Sequence, residues 1–270
     1  MRFHGRSEAH RLPSRYTGAT CVLARWLRAW ALFVALLAPS IAVAGPPYLT
    51  DDPQPTDPGH WEIYNFAQAT VGYGALLGES GLDINYGGAK DLQLTAVLPI
   101  GFDNESGFSA AGLRTGTGMI ELATKYKFLH QTDDGWLPDV SVFPRFLIPT
   151  QHNFGYDRTN FFLPIWAEKD FGPWSVFGGG GYELNPGPGA RDFWQGGIAV
   201  NRTISERLQL GVEVYGQTSD TAAGDAYTAV NFGVTYKLVE HWSLLASAGP
   251  TWIQGGGHGG VFYLSFEANY

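Results

Sequence analysis

The fold of this chain is decided by its last residues, FYLSFEANY at positions 262–270. Alternate residues of this stretch are apolar and fall on one face of a β-strand: Phe262, Leu264, Phe266, Ala268 and Tyr270. The residues between them are mostly polar, so the pattern has a period of two. Such a strand, ending the chain on an aromatic residue, is typical of the closing strand of a bacterial outer-membrane β-barrel. The edge strand of a soluble sheet also alternates, so the rest of the chain must separate the two interpretations.

The start of the chain reads as an export signal. An arginine-rich stretch at residues 2–28 precedes an apolar run from Ala29 to Ala38, which is too short to cross a bilayer as a helix. Small residues at Ala42 and Ala44 then match a signal-peptidase site. We therefore expect residues 1–44 to be a signal peptide that is removed on export.

The expected mature chain is strongly acidic. Six of the 17 basic residues and one of the 25 acidic residues lie in the leader, which leaves 11 basic against 24 acidic residues, a net charge of −13. This charge excludes a nucleic-acid binder, because phosphate binding needs a surface rich in Lys and Arg. Cys21, the single cysteine, also lies in the leader, so we expect no disulfide in the mature chain.

Alternation recurs along almost the whole mature chain and predicts an all-β transmembrane antiparallel barrel of about 12 strands. Each predicted strand is close to the 9–11 residues or so that a tilted strand needs to cross the hydrocarbon. No helical period competes with this pattern. The predicted strands are 60–70, 81–87, 91–100, 117–128, 138–148, 159–169, 173–183, 192–201, 206–217, 226–238, 241–252 and 260–270.

Loop length favours the membrane barrel over a soluble one. Connections after even strands are short or compact, whereas those after odd strands are mostly longer and richer in Gly, Asn and Asp, as at residues 72–80 and 102–116. Bacterial barrels have short periplasmic turns and longer outer loops. We therefore expect both termini to lie in the periplasm. Aromatic residues near predicted strand ends, such as Trp61, Trp174 and Phe193, fit two interfacial girdles.

The polar faces of the strands define the expected lumen. They carry charges of both signs, so they form either an ion-pair network that fills a narrow barrel or a constriction that selects solutes by charge and size. Glu121 and Arg145 lie at nearly equal distances from the centre of their hairpin, so we expect them to pair. The candidate lumen or constriction residues are Glu121, Lys125, Lys127, Arg145, Glu168, Glu213, Lys237 and Glu267.

Enzyme and metal motifs are weak. His241 and Ser243 have the His-x-Ser spacing of an outer-membrane phospholipase, but the Asn-Gly context of that site is missing. No histidine has metal-ligand spacing, and Asp51, Asp52 and Asp57 favour a solvated acidic tail over a Ca²⁺ site. We predict no catalytic residue, no metal and no cofactor.

Residues 45–59 form a proline-rich segment that cannot be a strand of the ladder. This segment either hangs in the periplasm or folds into the lumen as a plug. The stretch GPPYLTDDP at residues 45–53, followed by GHWE at 59–62, resembles the start of the meta-pathway of phenol degradation family of proteobacterial outer-membrane barrels. The specific match covers residues 45–62, and the remainder agrees in barrel pattern.

The resemblance implies an outer-membrane transporter or channel for passive uptake of small organic solutes, aromatic compounds among them. A non-transporting structural barrel or a lipid-modifying hydrolase is the alternative. Expected partners are outer-membrane lipid and lipopolysaccharide, a small-molecule solute, and the barrel assembly machinery acting on the C-terminal strand. The expected organisation is a signal peptide at 1–44, a periplasmic or lumen-plugging segment at 45–59 and the barrel at 60–270.

Overall fold

The computed structural model describes residues 47–108, 112–132, 135–150 and 154–270, so the expected signal peptide lies outside the described residues. Within these ranges no helix is long and apolar enough to cross a membrane. The strands are β1 (Trp61–Gly72), β2 (Ala75–Ala89), β3 (Leu92–Asn104), β4 (Arg114–Thr117), β5 (Ile120–Leu129), β6 (Asp139–Val142), β7 (Arg145–Ile148), β8 (Asn160–Phe171), β9 (Trp174–Leu184), β10 (Phe193–Ser205), β11 (Leu208–Gln217), β12 (Tyr227–Val239), β13 (Trp242–Ile253) and β14 (Gly257–Asn269).

The strands close into a barrel, because β1 pairs with β14 as well as with β2. Every neighbouring pair is antiparallel, and in the closing pair Tyr64 of β1 lies opposite Glu267 of β14. The expected all-β antiparallel barrel of 12 strands is confirmed, since the 14 segments form 12 barrel strands. Closure leaves no free sheet edge, whose backbone N–H and C=O groups would otherwise have no hydrogen-bond partner in lipid.

Two of the barrel strands are interrupted. Segments β4 and β5 both pair with β3, so they continue one another across residues 118–119. Segments β6 and β7 both pair with β5 and β8, and Pro144 lies between them. Proline has no N–H to donate to the ladder, which explains the break. The second pair corresponds to the predicted strand 138–148. The first does not, because β4 lies almost wholly in the expected loop at 102–116, which is wrong at residues 114–116.

The connection between β1 and β2 is shorter than the sequence pattern indicates. The expected loop at residues 72–80 is wrong, because β2 begins at Ala75 and leaves a tight turn at Tyr73 and Gly74 with φ values of 50° and 83°. Positive φ at both positions suits a two-residue hairpin turn. Gly78 obscured the alternation, and its missing side chain leaves room for Phe102, since a Cβ at Gly78 would lie 2.5 Å from the Phe102 ring atom Cζ.

The two ends of the barrel differ. We call the end with the two-residue connections 90–91, 172–173, 206–207 and 240–241 the turn end, although it also carries the longer connection 130–138. The opposite end, with connections 105–113, 149–159, 185–192 and 218–226, is the loop end, although it also carries the short connections 73–74 and 254–256. The backbone N–H of Trp61 donates to the Tyr270 carbonyl at 2.7 Å, so the barrel begins and ends at the turn end.

Apolar side chains cover the outside of the barrel, and polar ones fill the inside. On β14, Phe262, Leu264 and Phe266 are 43%, 49% and 46% exposed, whereas the alternate residues Ser265 and Glu267 are buried. This arrangement is the inverse of a soluble protein and suits a barrel whose exterior contacts lipid. Trp61, Trp174 and Trp242 are exposed at the turn end, but Phe193 is buried inside the lumen, so its expected place in an aromatic girdle is wrong.

Candidate functional site in the lumen

The proline-rich segment lies inside the barrel. Its first described residue, Pro47, accepts a hydrogen bond at its carbonyl oxygen from the Ser247 hydroxyl of β13. At the other end of the segment, the Gly59 N–H donates to the Gly87 carbonyl of β2 at 2.7 Å. Residues 47–59 therefore run from one wall of the barrel to another before the chain enters β1. We call residues 47–59 the luminal segment.

Tyr48 occupies a pocket in the barrel wall, called here the tyrosine seat, which is formed by Asn201, Phe177, Gly211 and Gly233. Its hydroxyl donates to Asn201 Oδ1 at 2.9 Å, and its ring packs against Phe177 with the centroids 6.1 Å apart. Gly211 and Gly233 lie opposite one another on β11 and β12, and a Cβ on either would meet the Tyr48 hydroxyl. The paired glycines thus provide the space that the tyrosine fills.

Glu213 binds the backbone of the luminal segment. Its carboxylate accepts hydrogen bonds from the N–H groups of Leu49 and Thr50 and from the Asn231 side chain. Glu213 is fully buried, so these donors replace the water that its charge would otherwise require. The contact involves the main chain of the luminal segment and positions it regardless of the side chains at these two residues.

The acidic pair of the luminal segment faces a single lysine. Lys125 Nζ of β5 lies 3.1 Å from Asp51 Oδ1 and 3.9 Å from Asp52 Oδ1, and it lies 4.9 Å from the centroid of the Phe143 ring. Asp52 is buried, so the expectation of a solvated acidic tail is wrong. Burial raises the pKa of Asp52 well above its usual range, while the nearby Lys125 ammonium opposes that shift.

Gln54 crosslinks the luminal segment to several wall strands. Its side-chain amide donates to Asp139 Oδ2 at 2.9 Å and to Glu168 Oε2 at 2.6 Å. Its carbonyl oxygen accepts from Lys127 Nζ at 2.7 Å. Two residues on, Thr56 is bonded through its N–H to Gln93 Oε1 at 2.8 Å. The luminal segment is therefore fixed along its length by polar contacts.

A second ion pair lies on the same lumen-facing side of β5, four residues before Lys125. Arg145 Nε and Nη2 donate to the two carboxylate oxygens of Glu121 at 2.8 and 2.6 Å, which confirms the pair expected from the hairpin geometry. The guanidinium also lies 5.3 Å from the Phe143 ring centroid and 5.8 Å from that of Phe162. Bidentate pairing and aromatic contact hold the side chain of Arg145 in one orientation.

An internal cavity of about 310 Å³ remains beside the luminal segment. Its lining is polar with several aromatic rings, and it includes Tyr64, Glu79, Asp83, Arg145, Glu183 and Tyr263. Cavities of this volume are at the lower end of the size range of small-molecule sites. The lumen is thus narrowed by the luminal segment and retains room for one small solute.

The loop end is narrowed by an inward-facing residue of the connection between β7 and β8. Phe154 is buried against Gly101 of β3, where a Cβ would lie 2.9 Å from the Phe154 ring. Tyr156 donates from its hydroxyl to Asp220 Oδ2 at 2.8 Å, which ties this connection to the one between β11 and β12. These loop contacts therefore lie between the loop end and the cavity.

The structure places most of the predicted lumen residues together. Seven of the eight candidates point into the lumen: Glu121, Lys125, Lys127, Arg145, Glu168, Glu213 and Glu267. All of these except Glu267 contact the luminal segment or one another. Lys237 does not join them, because it is exposed at the turn end where the register between β12 and β13 shifts.

Sequence reasoning missed Glu79, Glu183 and the polar residues of the luminal segment. Glu79 fell in a stretch interpreted as a loop, and Glu183 lies at the end of a predicted strand. Asn160 donates to Glu183 Oε1 at 2.7 Å, and both are buried on the inner face. Extending the period of two through residues 75–81 and 183 would have found both carboxylates.

The motifs considered for other chemistry remain separate. His241 stacks on Tyr270 at the turn end, with the ring centroids 5.9 Å apart, whereas Ser243 is buried on the lumen side of β13. No hydrogen bond joins these two residues in the described ranges. The described residues also contain no group of three or more His, Cys, Asp or Glu side chains that could hold a metal.

No protein-family model matches the chain, and no curated protein matches it either. Among solved structures, the chain is similar to the COG4313 outer membrane channel from Pseudomonas putida F1, with a TM-score of 0.65 and 16% identity over 83% of this chain and 99% of that one. It is also similar to the translocator domain of autotransporter NalP from Neisseria meningitidis, with a TM-score of 0.51 and 10% identity over 92% and 97% of the two chains.

These likenesses concern the fold. Together with the apolar exterior and the closed antiparallel ladder, they define the class of the protein: it is a bacterial outer-membrane β-barrel.

Proposed function

We propose that this protein is an outer-membrane channel for the passive passage of small organic solutes, aromatic compounds among them. The observation that carries the proposal is the polar internal cavity of about 310 Å³ beside the luminal segment. A purely structural barrel would gain more stability from a core packed without a cavity. The polar lining favours water-soluble compounds, and the rings of Tyr64, Phe66 and Tyr263 offer faces on which an aromatic solute can stack.

The luminal segment acts as the constriction of this channel. It is bound by Asn201, Glu213, Lys125 and Asp139, which come from strands on several sides of the barrel. A 12-strand barrel is narrower than the wide porins of 16–18 strands or so, so a segment of this size is enough to restrict passage to small solutes. The resemblance of residues 45–62 to the start of the phenol-degradation family supports the assignment of organic solutes.

We further propose that the turn end faces the periplasm, since short turns lie on that side of bacterial barrels. In this orientation the exposed Tyr270 is at the periplasmic rim, where the assembly machinery can bind the C-terminal strand. The apolar exterior contacts membrane lipid, with lipopolysaccharide around the loop end. Protease added to intact cells tests the orientation, because cleavage is expected in the loops at 105–113 or 185–192 and not in the turns.

Solute flux through the purified full chain in liposomes tests the proposed function. We expect swelling with small sugars and with phenylalanine, a bilayer-impermeant aromatic probe, and no swelling with oligosaccharides larger than the cavity. Liposomes without protein provide the control for leakage. An intact barrel that passes none of these solutes would contradict the proposal and favour a structural role.

A further inference from the structure

The lumen contains more carboxylates than cations, and the few cations are already paired. Arg145 is paired with Glu121, and Lys125 is paired with Asp51. Lys127 lies 3.7 Å from Asp139 and donates to Gln54. No basic side chain in the lumen of the described barrel is left without an anionic partner.

Four carboxylates that line the cavity have neutral hydrogen-bond donors in place of cations. Glu79 accepts from Gln68 at 2.6 Å, and Asp83 accepts from Asn85 at 2.9 Å. Glu183 accepts from the side-chain amides of Asn160 and Gln195, both at 2.7 Å, and Glu62 accepts from the Thr56 hydroxyl at 3.1 Å. In the described ranges, none of the four forms an ion pair.

Glu267 provides a second and separate observation. Its side chain is 1% exposed, and its Oε1 accepts from the hydroxyl of the cavity-lining Tyr64 at 3.3 Å. Its other carboxylate oxygen, Oε2, is buried and no donor of the described residues reaches it. Glu267 does not line the cavity itself, but it lies directly behind the Tyr64 hydroxyl and adds a further carboxylate without a cationic partner beside the cavity.

We infer that the cavity selects for small cations, organic ammonium compounds included, over anions of the same size. This inference rests on the proposed channel function and names the class of solute. A cation in the cavity compensates the carboxylates that the protein leaves without ion pairs, whereas an anion adds to their repulsion. The rings of Tyr64 and Tyr263 in the lining can also contact an ammonium group through their faces.

Selectivity can be measured with the full chain in a planar bilayer under a KCl gradient. We expect a reversal potential of the sign that marks K⁺ as the main carrier. Replacing KCl on one side by ethylammonium chloride should keep most of the cation current, because a small ammonium fits the cavity. Exclusion of ethylammonium would overturn the extension to organic cations.

The double variant Glu79→Gln/Asp83→Asn tests whether these carboxylates are responsible. We expect the ratio of cation to anion permeability to fall by more than about fivefold, because one unit charge at contact distance in water has an effect of about that size and the variant removes two. Glu206→Gln, in an exposed turn at the turn end, removes one charge outside the lumen and should leave the ratio unchanged. Retained heat-modifiable migration in electrophoresis checks that each barrel is folded.

The outcomes separate the two proposals. A folded channel that conducts but prefers Cl⁻, or a double variant with the ratio of the wild type, would overturn the cation selectivity alone. A folded wild-type barrel without any conductance would overturn the channel function itself, and the selectivity with it.

Discussion

Two walls of the same lumen differ in what their charged side chains contact. The wall that carries Lys125 and Glu213, here the occupied wall, uses these two charges to hold the luminal segment: Glu213 accepts from its backbone N–H groups, and Lys125 pairs with Asp51. The wall formed by β1 and β2, here the open wall, presents Glu79 and Asp83 to the cavity with amide donors alone. The occupied wall therefore holds a segment of the chain, whereas the open wall leaves two carboxylates facing the cavity without a cation.

Removal of the luminal segment should have the largest effect on this comparison. Deletion of residues 47–57 exposes the occupied wall to solvent, so both walls would then face open space. We expect a severalfold rise in single-channel conductance, because the main obstruction in a narrow barrel is gone. A conductance equal to that of the full chain would show that the segment does not restrict the passage.

Loss of the lysine on the occupied wall should have the next largest effect. Lys125→Met leaves Asp51 and Asp52 without their cation, and removal of one partner of a buried ion pair costs about 3–5 kcal/mol. We expect the luminal segment to leave the barrel wall more often. This would be seen as frequent steps to the higher conductance expected for the deletion variant. Lys90→Met, in an exposed turn, is the matched control and should gate like the wild type.

Filling the tyrosine seat should have a smaller effect. A Cβ at Gly233 would collide with the Tyr48 ring, so Gly233→Ala should weaken seating by about 1–3 kcal/mol, as overpacking usually does. The readout is again the fraction of time in the high-conductance state. Gly216→Ala serves as the control, because the nearest atom to its Cβ would be the Tyr227 carbonyl oxygen at 3.9 Å. If both variants spent the same fraction of time in the high-conductance state, the space at Gly233 would not be what holds Tyr48 in place.

The smallest expected effect comes from the hydroxyl of the same tyrosine. Tyr48→Phe keeps the ring contact with Phe177 and loses the hydrogen bond to Asn201, a change of about 1 kcal/mol. Conductance steps should become slightly more frequent, with no change in the conductance of either level. Tyr236→Phe, on the exposed outer face, should show no change. A large effect of Tyr48→Phe would mean that the hydroxyl does more than anchor the ring.

Much of the fold could be predicted, because a strand that crosses lipid has to alternate apolar residues facing the lipid with polar residues facing the lumen. The closing strand at 262–270, the strand count and the Glu121–Arg145 pair all follow from a period of two and from hairpin geometry. The prediction failed at residues 72–80, where Gly78 carries no side chain to show the alternation. It also failed at Lys237, since position in a strand gives the face but not the exposure at the rim.

The sequence alone determined the class of fold, because the hydrocarbon imposes the same alternating pattern on every strand that crosses it. The tertiary structure decided where the proline-rich segment lies and which lumen charges are paired. Those contacts join residues far apart in the chain, such as Tyr48 with Asn201 and Lys125 with Asp51. No local pattern encodes such contacts, since they depend on barrel closure and on the strand register that brings Gly211 beside Gly233.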